Sequence, residues 1–139
     1  MTKFDAYGTE LYRGTSSGDA YGQVISITGP GLSADVIDVT SHDSTNAWEE
    51  SVVGILRSGE VTMEIVWDPA DAFYKNAGTG LLADFIARAS ITLTLVFSDT
   101  ATTEWTFSAF VTGFEPSAPH DDKLGASVTF KPTGDITLV

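Results

Sequence analysis

The chain has 139 residues, 19 acidic and 7 basic, a formal net charge of −12 and no cysteine. Its length suits one domain with enough interior to hold a core unaided. The charge argues against a duplex-DNA or anionic-membrane binder working through clustered Lys and Arg, and the missing cysteines exclude disulfides, thiolate metal sites and cysteine nucleophiles.

In chain order, Met1 to Asp5 holds no apolar run of signal-peptide length, so a protein made without export is expected. Residues 1–21 are rich in Gly, Ser, Thr and Tyr and lack hydrophobic periodicity, yet they carry Phe4, Tyr7, Leu11, Tyr12 and Tyr21. This predicts a flexible N-terminal arm that orders on a partner. The domain proper is expected over residues 22–139. Gln23 to Thr28 reads as a strand with Ile25 and Ile27 on one face, and Gly29-Pro30-Gly31 as a turn. Asp35 to Thr40 alternates again, with Ile37 and Val39 predicted inward. Residues 41–58 show no clean period and read as a long loop displaying Trp48, Glu49, Glu50, Val52, Val53, Ile55, Leu56 and Arg57. Long loops with apolar side chains mark contact surfaces.

Gly59 to Asp68 is the clearest strand, with Val61, Met63, Ile65 and Trp67 on one side and Glu60, Thr62 and Glu64 on the other. A helix is predicted at about 79–89, capped by Thr79, with Leu81, Leu82, Phe85, Ile86 and Ala89 as its apolar stripe. Asp84 and Arg88 are expected to pair on its opposite face. Residues 70–76 could add a helical turn or two before it. Alternating strands follow at residues 91–97, 105–112 and 124–131, and residues 135–139 could add an edge strand. The expectation is a mainly β, single-domain sandwich or barrel of six or seven strands, flanked by one α-helix.

Candidate chemistry is thin. Gly78-Thr79-Gly80-Leu81-Leu82-Ala83 imitates a dinucleotide-binding turn, but no buried strand precedes it and no βαβ unit follows. His42 and His120 are too few and too far apart in sequence to define a ligand set. No G-x-S-x-G elbow is present. No catalytic, metal or cofactor residue is therefore assigned. A carbohydrate- or receptor-binding module using Trp48, Trp105 or the tyrosines is the alternative to a self-assembling protein.

Three blocks carry a family resemblance. They are Asp35-Val36-Ile37-Asp38-Val39-Thr40-Ser41 followed by Trp48-Glu49-Glu50, then Ser58-Gly59-Glu60-Val61-Thr62 running to Trp67-Asp68-Pro69, and Ala109 to Pro116 leading to Asp121 to Gly134. Their order resembles the major tail protein, or tail tube protein, of long-tailed phages with non-contractile tails. The resemblance implies a fold shared with the inner tube of type VI secretion systems, and hexameric rings stacked helically into a tube that conducts DNA as passing cargo. It also implies assembly in the host cytoplasm with tail tip, tape-measure and tail terminator proteins, location in the virion tail, and no membrane partner. On this reading Phe4, Tyr7, Leu11, Tyr12, Trp48, Glu49, Glu50, Val53, Ile55, Leu56 and Arg57 make subunit or ring contacts. Glu60, Glu64 and Glu104 are expected to face the lumen.

Overall fold

Alternating side chains put one face of each strand in the interior, and the computed structural model, which describes residues 2–139, follows that rule over most of its length. Among the described residues there are nine strands: β1 (Glu10–Arg13), β2 (Asp19–Ala20), β3 (Val24–Thr28), β4 (Leu32–Asp38), β5 (Ser51–Ser58), β6 (Val61–Val66), β7 (Ile91–Val96), β8 (Glu104–Ser117) and β9 (Gly125–Leu138). One α-helix, α1, spans Leu81–Ala87. Seven strands form an antiparallel sheet in the order β2-β1-β7-β8-β9-β6-β3, while β4 and β5 pair with each other as a separate hairpin. Register shifts in the β8–β9 pair between Thr106 and Ser108 and between Val111 and Gly113 help bend the sheet into a half-barrel.

The core lies on one side of this sheet. Leu11, Val61, Met63, Ile65, Leu93, Leu95, Phe107, Ala109, Val111, Val128 and Phe130 supply it, and Tyr21, Tyr74 and Leu81 close over it. Tyr74 donates its hydroxyl to the Gly22 carbonyl at 2.6 Å and stacks on Tyr21 with ring centroids 5.7 Å apart.

Several expectations change. Residues 10–13 are not part of a free arm: β1 pairs with β7, and Leu11 is fully buried opposite Leu95. An isolated leucine among Gly, Ser and Tyr gives no periodicity, yet tertiary pairing supplies its strand. In β3 a register shift between Val24 and Ser26 turns Ile25 outward, so Val24 and Ile27 pack against the core instead. Residues 135–139 form no separate edge strand. Asp135 to Leu138 continues β9, pairing Thr137 with Thr106 and Leu138 with Trp105 inside the sheet. Residues 70–76 make turns rather than helix.

The Gly78–Gly80 turn has a packing explanation. A Cβ at Gly80 would collide with the Lys75 carbonyl, and Gly78 has φ +59°. Gly80 takes the N-cap position with no side-chain cap, in place of Thr79.

Candidate assembly interface

The residues read as a long loop at 41–58 divide into a tip and a strand. Residues 51–58 are β5, and β4 with β5 forms a hairpin whose seven-residue arm extends roughly 23 Å. Ile37 and Val39 do not point inward; they are exposed along with Val36, Val52, Val53, Ile55 and Leu56, the last at 78%. Val36 faces Val53 and Ile37 faces Val52 in successive pairs, so both faces of the hairpin are apolar. Its main contact with the body is β5 against β9. Beside this base lies a cleft of about 780 Å³ lined by Leu32, Leu56, Ile136 and Leu138. A two-stranded hairpin with no covered face is marginal by itself in water.

The tip is ordered by its own polar groups. Ser44 donates to the Glu50 carboxylate at 2.8 Å and accepts from the Ser41 amide at 3.0 Å, while Glu50 donates its amide to the Thr40 hydroxyl at 2.8 Å. A single 3₁₀ turn, Thr45–Ala47, then presents Trp48 at 74% exposure. Glu50 therefore has an internal role, whereas Glu49 is exposed beside Trp48. Arg57 pairs with Asp35 at 2.9 Å, both well exposed. Such a surface pair contributes little stability but links the two strands across the hairpin.

At the N-terminus Phe4 and Tyr7 are exposed, Tyr7 at 90%. The Asp5 carboxylate accepts from the Tyr7 amide at 3.0 Å, and its carbonyl accepts from the Ser98 hydroxyl. This segment is a surface candidate, but Leu11 is core, which removes it from the contact set.

The face of the sheet away from the core is polar. Its register aligns Tyr12, Thr94, Thr106 and Thr137 in one row and Thr92, Ser108 and Thr133 in another, although Thr94 is itself buried and donates its hydroxyl to the Gly14 carbonyl at 2.7 Å. Carboxylates mark two further rows. Glu10 and Glu104 flank Val96, and Glu64 and Glu115 flank Ser127. The Glu10 carboxylate accepts from the Tyr12 hydroxyl, which raises that phenol above its ordinary pKa. Glu60 lies in the exposed connection between β5 and β6, outside any strand. Glu10 and Glu115 are missing from the sequence reading for different reasons. Glu10 sits in a strand that carries no periodicity. Glu115 has the parity of Phe107, and only the extra residue between Val111 and Gly113 brings it to the polar face.

The aromatic side chains on which a sugar-binding reading rests are scattered: Trp48 and Tyr7 are exposed, Tyr12 and Trp105 half-buried. Trp105 packs edge-on against Phe97, and Tyr21 and Tyr74 are buried. Among the described residues no cluster of three His, Asp or Glu has metal-binding geometry.

The sequence pattern of the lambda phage tail tube protein, TTP, matches residues 5–139. The chain belongs to that family. It is a structural tail tube protein of the virion. No curated protein matches the chain. Solved structures support the fold. A chain of the native gene transfer agent virion is 12% identical, with a TM-score of 0.77 and 99% of each chain covered. A chain of the sheath/tube terminator of an extracellular contractile injection system, PVC, is 15% identical, with a TM-score of 0.74, covering 100% of this chain and 98% of that one. The tail of the empty gene transfer agent particle, solved with C6 symmetry, has a chain 15% identical, with a TM-score of 0.69 and coverage of 94% and 93%.

Proposed function

We propose that copies of this chain close into six-membered rings that stack into a tube, with the β4–β5 hairpin as the main joint between copies. The observation carrying this reading is the hairpin itself. Its apolar faces are exposed in the single chain, and a repeating assembly would cover them on every copy. Trp48, Glu49, Val53, Ile55 and Leu56, with Phe4 and Tyr7, are the contact residues in this reading, while Glu50 and Arg57 hold the hairpin's shape. The C6 symmetry of the gene transfer agent tail supports the ring number.

The polar face is assigned to the lumen. It offers hydroxyls and carboxylates, Glu64 and Glu104 from the sequence reading together with Glu10 and Glu115, and Lys131 as its basic side chain. Six copies at −12 each give a channel that repels phosphates, so DNA passes without being held. Assembly takes place in the host cytoplasm, with tail tip, tape-measure and terminator proteins meeting the tube at its ends or within it.

Negative-stain electron microscopy of concentrated protein tests the assembly. The intact chain should give tubes or stacked rings. A variant with residues 33–57 replaced by a short turn should stay folded by circular dichroism and remain monomeric. Normal tubes from that variant would remove the hairpin from the joint.

A further inference from the structure

Only the start of the apolar stripe of α1 is covered. Leu81 and Asp84 are buried, while Phe85 and Ile86 are exposed, Ile86 at 64%. Arg88 does not pair with Asp84. Asp84 instead accepts two hydrogen bonds from Arg13, at 2.9 and 3.0 Å. Arg13 sits opposite Leu93 on the core side of the sheet, so this pair clamps the polar side of the helix inward and leaves part of its apolar stripe uncovered.

The cations of the chain differ in whether a partner holds them. Arg13, Arg57 and Lys123 are ion-paired, and Lys131 donates to the Ser58 carbonyl at 3.0 Å. Lys75 and Arg88 are exposed and have no carboxylate partner among the described residues. They bracket the helix. The Lys75 carbonyl accepts from the Ala83 amide at the helix start, and Arg88 is its C-cap. Arg88 holds a left-handed backbone, φ 55°, where Gly or Asn is the usual choice. An arginine kept there at a conformational cost fits a role for its side chain.

The hairpin has the complementary character. Between Arg13 and Arg57 there are six acidic residues and no Lys or Arg. Asp43 and Glu49 are exposed at the tip, on either side of a stretch ending in Trp48. The N-terminal segment fits less well, since it carries Lys3 and its Asp5 carboxylate is already engaged by the Tyr7 amide.

We infer that the exposed face of α1, Phe85 and Ile86 bracketed by Lys75 and Arg88, receives the acidic Trp48 tip of the hairpin of a second copy of this chain. Trp48 covers the apolar pair, and Glu49 and Asp43 meet the cations. This rests on the tube assembly proposed above and names the surface on which its joint closes. Every copy carries one tip and one receiving helix, so the contact is head-to-tail and propagates.

Because the chain has no cysteine, cross-linking tests this directly. Thr45→Cys and Ala89→Cys place thiols near the anchoring side chains without removing them. The two variants, one carrying a mass tag, are mixed, assembled at high concentration and treated with a short bismaleimide. A cross-linked dimer containing one chain of each is expected on a denaturing gel. Thr45→Cys with Thr106→Cys should give none. Tubes that form but yield no such dimer, or that yield one only between Tyr7→Cys and Ala89→Cys, overturn this docking and leave the tube standing. Failure of the intact chain to form tubes overturns both. A charge swap gives a second reading: Arg88→Glu should raise the critical concentration about tenfold, and adding Glu49→Arg should restore most of it. A double variant as poor as the single, with both folded by circular dichroism, counts against the pairing.

Discussion

Single residues separate what holds the subunit from what it shows to others. Leu11 and Tyr7 lie four positions apart in a stretch that looks uniform in composition, yet one is fully buried and the other almost fully exposed. Leu11→Ala is expected to destabilise the monomer by about 3 kcal/mol, because it empties a site walled by Leu95 and its neighbours. Tyr7→Ala should leave monomer stability within about 0.5 kcal/mol. Urea denaturation of both variants checks this, and equal midpoints would contradict the division. For the same reason a deletion designed to remove only the exposed N-terminal segment should stop at residue 9, since β1 begins at Glu10.

At the scale of elements, the helix and the hairpin are oriented by different physics. The helix is seven residues long, too short to be stable by propensity, so its orientation comes from what it touches. The bidentate Arg13–Asp84 contact, with Asp84 almost fully buried, outweighs the usual preference for burying Phe85 and Ile86. The buried Asp84 carboxylate also adds to the effect of burial in holding the Tyr21 hydroxyl protonated well above its ordinary range. Asp84→Ala removes both hydrogen bonds and leaves Arg13 beside the core, which should cost about 2–3 kcal/mol. Thermal denaturation monitored at Tyr and Trp would report it, and an unchanged midpoint would show that the pair contributes nothing to docking. The hairpin is the opposite case. Its strands find each other through local register, and its shape is kept by Ser44–Glu50 and Asp35–Arg57 without any covered face.

At the scale of the molecule, the half-barrel leaves two edges, β3 on one side and the short β1–β2 pair on the other. Unpaired edges invite further pairing, and a ring of copies would satisfy them. The charge opposes this association at long range, whereas the apolar joints act only at contact. Screening should therefore favour assembly. Raising ionic strength from about 10 mM to about 150 mM is expected to lower the critical concentration severalfold, as measured by sedimentation. A rise over that interval would mean that ion pairs, rather than apolar burial, dominate the joint.

Much of this molecule follows from its sequence alone. The strands over Val61–Val66, Ile91–Val96 and Glu104–Val111 are legible because period two is imposed by the pleat wherever one face is buried and the other wet. The family blocks are legible for a similarly local reason, since they are matters of residue type and order. Orientation and parity are not local. Leu11 belongs to the core only because β1 finds β7. Glu115 reaches the polar face only because β8 bulges. Ile37 and Val39 alternate like core residues but have no second layer above them. In each case the deciding partner is distant in sequence, Asp84 lying 71 positions from Arg13, and a pattern read along the chain cannot say which of its faces that partner will cover.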